Sequence, residues 1–142
     1  MTNPHCLFCK IVRGEIPAVR LFEDDVTLAF LDIGPIIKGH TLVIPKLHYD
    51  PLMTTPDEVL ARVMRTVRRI ACALVAGLGA DGINLHQSNG AAAGQVIPHL
   101  HIHVIPRFAN DGHHWNWQAK RYTSPAEMEA LAARVIPHLK DV

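Results

Sequence analysis

The run His99-Leu100-His101-Ile102-His103-Val104-Ile105 constrains the fold most strongly, because histidine and aliphatic side chains alternate along it with a period of two. A strand from Leu100 to Ile105 turns Leu100, Ile102 and Val104 into a core and sets three imidazoles on the other face, roughly 6.5 Å apart. Thr, Lys or Glu would solvate such a face equally well, so a row of histidines points to chemistry. Ten histidines in 142 residues carry the same message, since imidazole titrates near neutral pH and also serves as nucleophile and metal ligand. Two chemistries stay open at this spacing. His-x-His can hold a metal, as in sites built from three histidines, or the row can supply a nucleophile with its supporting acid, base and phosphate contacts.

Further short β-rich runs are Val19 to Glu23, Thr27 to Leu31, His40 to Ile44 and Ile83 to Ser88, separated by the turn signals Glu23-Asp24-Asp25, Gly34-Pro35, Asp81-Gly82 and Asn89-Gly90. Two segments read as helices. Thr55, Pro56 and Glu58 predict a capping box, followed by Leu60, Val63, Met64, Val67, Ile70, Leu74, Val75 and Leu78 at helical steps, with Gly77 and Gly79 ending the helix. Ser124, Pro125 and Glu127 open a second helix, whose stripe of Met128, Leu131, Val135 and Ile136 ends at Pro137. Three strands before the first helix and two after it, with short connections, predict an α+β fold on a five-stranded antiparallel sheet with two helices.

A length of 142 residues suits one domain, 1–142. With 49% hydrophobic and 19% charged residues the chain should fold. Fourteen Lys and Arg against thirteen Asp and Glu, with no long block of either sign, argue against nucleic-acid backbone binding and against a polybasic membrane anchor. Gly77 and Gly79 interrupt the longest mostly apolar stretch, Ile70 to Ala80, which falls well short of the roughly 20 residues of a membrane span. The start, Met1-Thr2-Asn3-Pro4-His5-Cys6, is polar and turn-like, and three cysteines are an odd count. The expectation is a cytoplasmic protein with reduced thiols.

Other motifs stand in order around the histidine run: Cys6-Leu7-Phe8-Cys9-Lys10-Ile11-Val12, Gly14-Glu15-Ile16-Pro17, Phe30-Leu31-Asp32-Ile33, Lys38-Gly39-His40-Thr41-Leu42-Val43-Ile44-Pro45-Lys46-Leu47-His48, and Asn89-Gly90 through Gly94-Gln95. Together with the run itself, they resemble the histidine triad (HIT) family of nucleotide hydrolases and transferases, in its bacterial Hint-like branch. The resemblance covers about residues 4 to 107, leaving a C-terminal tail and helix at 108–142. It implies a HIT-like fold whose sheets join two-fold into a dimer, with the first long helix at the interface.

By that resemblance His101 is the nucleophile that attacks the α-phosphorus of a purine nucleotide to give a nucleotidyl-histidine, which water resolves to the monophosphate. His103 contacts the phosphate or leaving group, and His40 and His99 flank the catalytic pair. A neutral imidazole is a competent nucleophile at pH 7, provided that one ring nitrogen gives its proton to a fixed acceptor. The family pattern further implies that Asp32 receives the ribose hydroxyls, Phe30 and Ile33 flank the base, and Gly94 and Gln95 approach the phosphate. Ser88 stands where Hint-like sequences often carry a phosphate-binding Asn, and Val96 where a hydroxyl is common. Asn89 is a substitute amide or an ordinary Asn-Gly turn.

Cys6-x-x-Cys9 alone reads as a redox dithiol or as half of a zinc site. The resemblance supplies two further ligands, His48 and His99, for a closed Cys2His2 structural zinc, and the scheme requires no catalytic metal. Simple alternation, however, sets His99 on the same face as His101, and Pro98 is the residue able to distort the strand entry. Cys72 reads as a small core residue. His113-His114-Trp115-Asn116-Trp117 reads as a loop that packs on a partner subunit or borders the leaving-group pocket. The expected activity is purine nucleoside phosphoramidate or acyl-adenylate hydrolysis. Its rivals are dinucleoside polyphosphate hydrolysis, a nucleotide-binding regulatory protein with vestigial turnover, and a hydrolase with zinc on His99, His101 and His103.

Overall fold

Thr27–Leu31 forms a strand at the bounds its sequence suggests, and four of its five residues are buried. Burial on both faces requires cover on both sides, and the computed structural model, which describes residues 1–141, shows where it comes from. Five strands, β1 (Arg20–Glu23), β2 (Thr27–Leu31), β3 (Thr41–Pro45), β4 (Gly82–His86) and β5 (Ile102–Arg107), form one sheet in the order β1-β2-β3-β5-β4. Every neighbouring pair is antiparallel. There are three helices rather than the two expected: α1 (Leu7–Val12), α2 (Asp57–Leu78) and α3 (Pro125–Val135), besides short 3-10 turns. Val142, the last residue of the expected 108–142 tail, lies outside the described residues.

Helix α2 covers one face of the sheet. Its Val63, Val67, Ile70 and Leu74 pack with Ala29, Val43, Ile102 and Val104. The alternate residues Leu28, Phe30, Leu42 and Ile44 point to the opposite face, where α1 seals them with Phe8, Cys9 and Ile11. His103 pairs with Leu42 in the β3–β5 ladder and therefore stands on the α1 side of the sheet. The site described below lies on that side.

Several local expectations are corrected. The capping box at Thr55 does not form, because Thr55 Oγ1 donates instead to the carbonyl of Pro51 at 3.0 Å, and α2 starts without a side-chain cap. Asp57 and Glu58 in its first turn oppose the helix dipole favourably. Gly77 stays inside α2, and Gly79 ends it in the left-handed region at φ 68°. Three of the eight residues of the predicted apolar stripe face outward, for Met64, Val75 and Leu78 are exposed. Cys72 is exposed too, on a side of α2 that nothing covers. At α3 the Ser124 hydroxyl does accept the Glu127 N–H, yet Met128, Leu131 and Val135 remain exposed. Gly39 precedes β3 at φ 101°, and a Cβ there would lie 2.6 Å from Leu78 Cδ1 and 3.1 Å from Pro106 Cγ. Only glycine lets the chain pass this close to the end of α2 and deliver His40 to the sheet.

Candidate active site

The expected strand over Leu100 to Ile105 starts two residues late, at Ile102, and this shift separates the histidines. The Leu100 N–H donates to the Tyr49 carbonyl at 2.6 Å rather than to a neighbouring strand. His99 is consequently set against the start of α1 rather than into the cavity that the other two line. It is fully buried, with Nδ1 3.4 Å from Cys6 Sγ and 3.7 Å from Cys9 Sγ, while His48 Nδ1 lies 3.5 Å from Cys9 Sγ. All three imidazoles thus lie on the α1 side of the sheet, as alternation predicts, but His99 is committed to the cysteine pair and does not line the cavity.

Cys6, Cys9, His48 and His99 hold their four donor atoms within 4.8 Å of one another. A tetrahedral zinc with Zn–S of about 2.3 Å and Zn–N of about 2.0 Å needs donor separations of about 3.3 to 3.8 Å, which the three short contacts satisfy. His99 Nε2 donates to the Pro45 carbonyl at 2.8 Å, which fixes its proton there and leaves the Nδ1 lone pair for the cysteine side. Burial pushes the His99 pKa down to about 4, against the opposing pull of the Pro45 carbonyl, so the ring is neutral as a ligand must be. The donor set fits a structural metal. Cys6 and Cys9 belong to the start of α1 and His99 to the entry of β5, so a metal here would pin one to the other.

His101 and His103 line a cavity of about 350 Å3, together with Phe8, Phe30, Asp32, Ile33, His86, Ser88, Gly94 and Gln95 among others. The His101 Nδ1 lies 2.6 Å from the His99 carbonyl oxygen. A carbonyl only accepts, so Nδ1 carries the proton and the neutral ring keeps its lone pair on Nε2. The Phe8 ring stands edge-on to His101 at 5.2 Å and to His99 at 5.8 Å, filling the space between cavity and cysteine cluster.

A second chain of hydrogen bonds fixes His103. The Ile36 N–H donates to His40 Nδ1 at 3.1 Å, so the proton of neutral His40 is on Nε2, which lies 2.8 Å from His103 Nδ1. His40 therefore donates to His103, whose own proton must sit on Nε2. Burial is the main cause that lowers both rings, His103 to about 4 with further push from His101, His40 and His86. Asp32, 3.7 Å from His40 Nε2, opposes this with its charge but does not overcome burial. The site thus presents one imidazole with a free lone pair and another with a free N–H.

The remaining candidates divide. Asp32 Oδ1 accepts from the Gly34 N–H at 2.8 Å, which leaves Oδ2 for a ligand hydroxyl. Gly94 and Gln95 line the cavity, but the Gln95 amide is committed to the loop. Its Oε1 accepts from Gly90 N, and its Nε2 donates to Asp50 Oδ1 and the Ile97 carbonyl. Asn89 is not among the cavity residues: its Nδ2 donates to Gln87 Oε1 at 2.6 Å, and its Oδ1 accepts from Leu52 N and Gln87 Nε2. The expectation of a substitute amide for phosphate is therefore not met by Asn89. Among the cavity residues that escaped the sequence reading of the site, two carry aromatic rings beside the histidines. Phe8 lies on the unexpected helix α1, and His86, a lone histidine at the end of β4, is brought beside His103 by strand pairing.

With this geometry in view, the comparisons with known proteins agree. Residues 13–110 match the model of the HIT domain. The chain is 47% identical over 136 residues to an adenylylsulfatase of Arabidopsis thaliana, covering 94% of this chain and 69% of that protein. It is 39% identical to an adenosine 5′-monophosphoramidase of Schizosaccharomyces pombe, over 95% and 98% of the two chains. A crystal structure of a HIT family member from Bacillus subtilis superposes with a TM-score of 0.87 at 37% identity, over 95% and 97% of the chains. A zinc-bound histidine triad protein from Mycobacterium smegmatis gives 0.73 at 40% identity, over 96% of each. The fold and the site define a histidine triad protein. The chain belongs to the HIT family.

Proposed function

We propose that this chain is a HIT-type nucleoside phosphoramidase and nucleotide hydrolase that cleaves purine nucleotides at the α-phosphate through a nucleotidyl-histidine on His101. The observation that carries this reading is the opposite protonation of two neighbouring imidazoles in one cavity, His101 on Nδ1 and His103 on Nε2. His101 Nε2 forms the new bond to phosphorus as the bond to the leaving group breaks. The His103 Nε2–H hydrogen-bonds the amine leaving group, and His40 holds His103 in the tautomer that presents this donor, while the proton that the departing amine takes up comes from solvent water. Water then breaks the N–P bond and releases the monophosphate. Asp32 takes the ribose, Phe30 and Ile33 flank the base, and Gly94 approaches the phosphate. Names and activities of the Arabidopsis and fission-yeast relatives support this class of substrate.

Zinc on Cys6, Cys9, His48 and His99 is structural in this account, where it would cross-link α1 to the entry of β5, and no catalytic metal is required. We read residues 1–142 as one HIT domain that works in the cytoplasm as a homodimer. Exposed Met64, Val75 and Leu78 on α2 and Leu85 on the edge strand β4 support a self-association surface. Among the described residues no helix is long and apolar enough to cross a membrane, and the near-neutral charge gives no basis for nucleic-acid binding. Release of AMP from adenosine 5′-phosphoramidate by the purified chain tests the assignment. Release is the expected result, and bound AMP without turnover would sink it.

A further inference from the structure

The order of strands lays out the order of substrate parts. Phe30 is on β2 and Asp32 just beyond it, His103 is on β5 with His101 at its entry, and His86 ends β4 at the far edge of the sheet. If the nucleoside lies at β2 and the α-phosphate at His101, the leaving group extends toward β4. The residues waiting there are His86 and Ser88, both on the cavity wall.

These two form a connected pair. His86 Nε2 lies 3.0 Å from Ser88 Oγ, and the His86 ring is 5.6 Å from that of His103, its direct partner in the β4–β5 ladder. The outer side of His86 is backed by Trp115, nearly parallel at 12° and 6.0 Å. Trp115 is itself anchored, since its Nε1 donates to Asn84 Oδ1 at 2.9 Å, and Arg107 donates to the same oxygen. Arg107 also pairs with Asp111 and donates to the His113 carbonyl, which folds the segment after β5 back over the edge strand. His86 is exposed at the sheet edge, yet its ring is flanked by His103 on one side and Trp115 on the other.

We propose that His86 and Ser88 form the leaving-group subsite and select an oxyanion leaving group, such as sulfate or carboxylate, over an amine. The inference rests on the nucleotide-hydrolase reading above. With the proton on His86 Nε2 donated to Ser88 Oγ, the serine hydroxyl hydrogen is available to a leaving-group oxygen. As His101 Nε2 bonds to phosphorus, the P–O bond breaks and its electron pair stays on that oxygen. Sulfate departs as the anion and needs no proton, only donors that match its charge. Ammonia, by contrast, must gain a proton from solvent as it departs, and the His103 Nε2–H only orients its nitrogen.

The test compares AMP release from adenosine 5′-phosphosulfate and from adenosine 5′-phosphoramidate by wild type, His86→Leu, His86→Gln and Ser88→Ala. We expect the ratio of kcat/KM, sulfate over amidate, to fall at least about 10-fold in His86→Leu and in Ser88→Ala, the loss typical of one hydrogen bond to a charged group. His86→Gln, which keeps an N–H donor, recovers part of it. An unchanged ratio in folded variants of an active enzyme, or a wild type active on the amidate alone, overturns the subsite and leaves the hydrolase reading standing. A wild type inert on both substrates overturns both.

Discussion

The carbonyl of His99 accepts the Nδ1 proton of His101 at 2.6 Å, so the residue whose side chain faces two cysteines also sets the tautomer of the next imidazole. One short stretch of backbone couples the cysteine cluster to the cavity, and anything that loosens His99 reaches His101. Cys9→Ser should therefore lose about one equivalent of bound zinc per chain and lower the Tm by several degrees, because metal affinity on a folded site is folding free energy. Turnover should fall as well, by a smaller factor than in a variant of His101 itself. Metal analysis, thermal unfolding and kcat on the same preparation check this. A variant with full zinc content and unchanged Tm would contradict the structural role.

His40 does not line the cavity and meets it through His103 and, at 3.7 Å, through Asp32. Replacing His40 by Phe keeps a ring of similar shape but removes the donor to His103 Nδ1, leaving that nitrogen to be protonated and Nε2 free of its proton. The expected result is a fall of about 10- to 100-fold in kcat for an amine leaving group with a smaller change in KM, the loss of one oriented N–H donor at a group that gains charge. His40→Gln, which restores an N–H donor, should recover part of the loss. Equal rates for His40→Phe and wild type would show that the tautomer of His103 does not matter.

Burial also makes His103 a source of acid sensitivity. Its folded pKa of about 4 lies below the ordinary 6.5, so the unfolded chain binds more protons between these values. Stability consequently rises with pH across that window, and it is lost as the pH falls from 6.5 towards 4. His103→Gln cannot titrate and should show a shallower loss over the same range. Chemical denaturation of both proteins at several pH values measures the difference. Parallel curves would mean that His103 is not desolvated in the folded state.

Much of this site could be read from the sequence, because alternation and spacing are local properties. Thr27–Leu31 came out at its own bounds, and the pairing of His101 with His103 followed from a period of two. What escaped depends on contacts distant in sequence. Helix α1 is six residues long, under two turns, so its Phe8, Cys9 and Ile11 are too few to declare a helical period. The direction of His99 is decided by its own bond to the Pro45 carbonyl and by that of Leu100 N–H to Tyr49, both more than 50 residues away in sequence. Thr55 had an upstream carbonyl to bond in place of the helix end. His86 carried no signal at all until the register of β4 on β5 placed it opposite His103.

The account stands or falls on the covalent step at His101. Rapid quenching of the wild type with adenosine 5′-phosphoramidate, followed by intact-mass and peptide analysis, should reveal one adenylyl group on the peptide carrying His101. His101→Ala should form none and lose at least about 10³-fold in kcat, since the whole nucleophilic route disappears. An adenylyl group on another residue, or near-normal AMP release by His101→Ala, would contradict it.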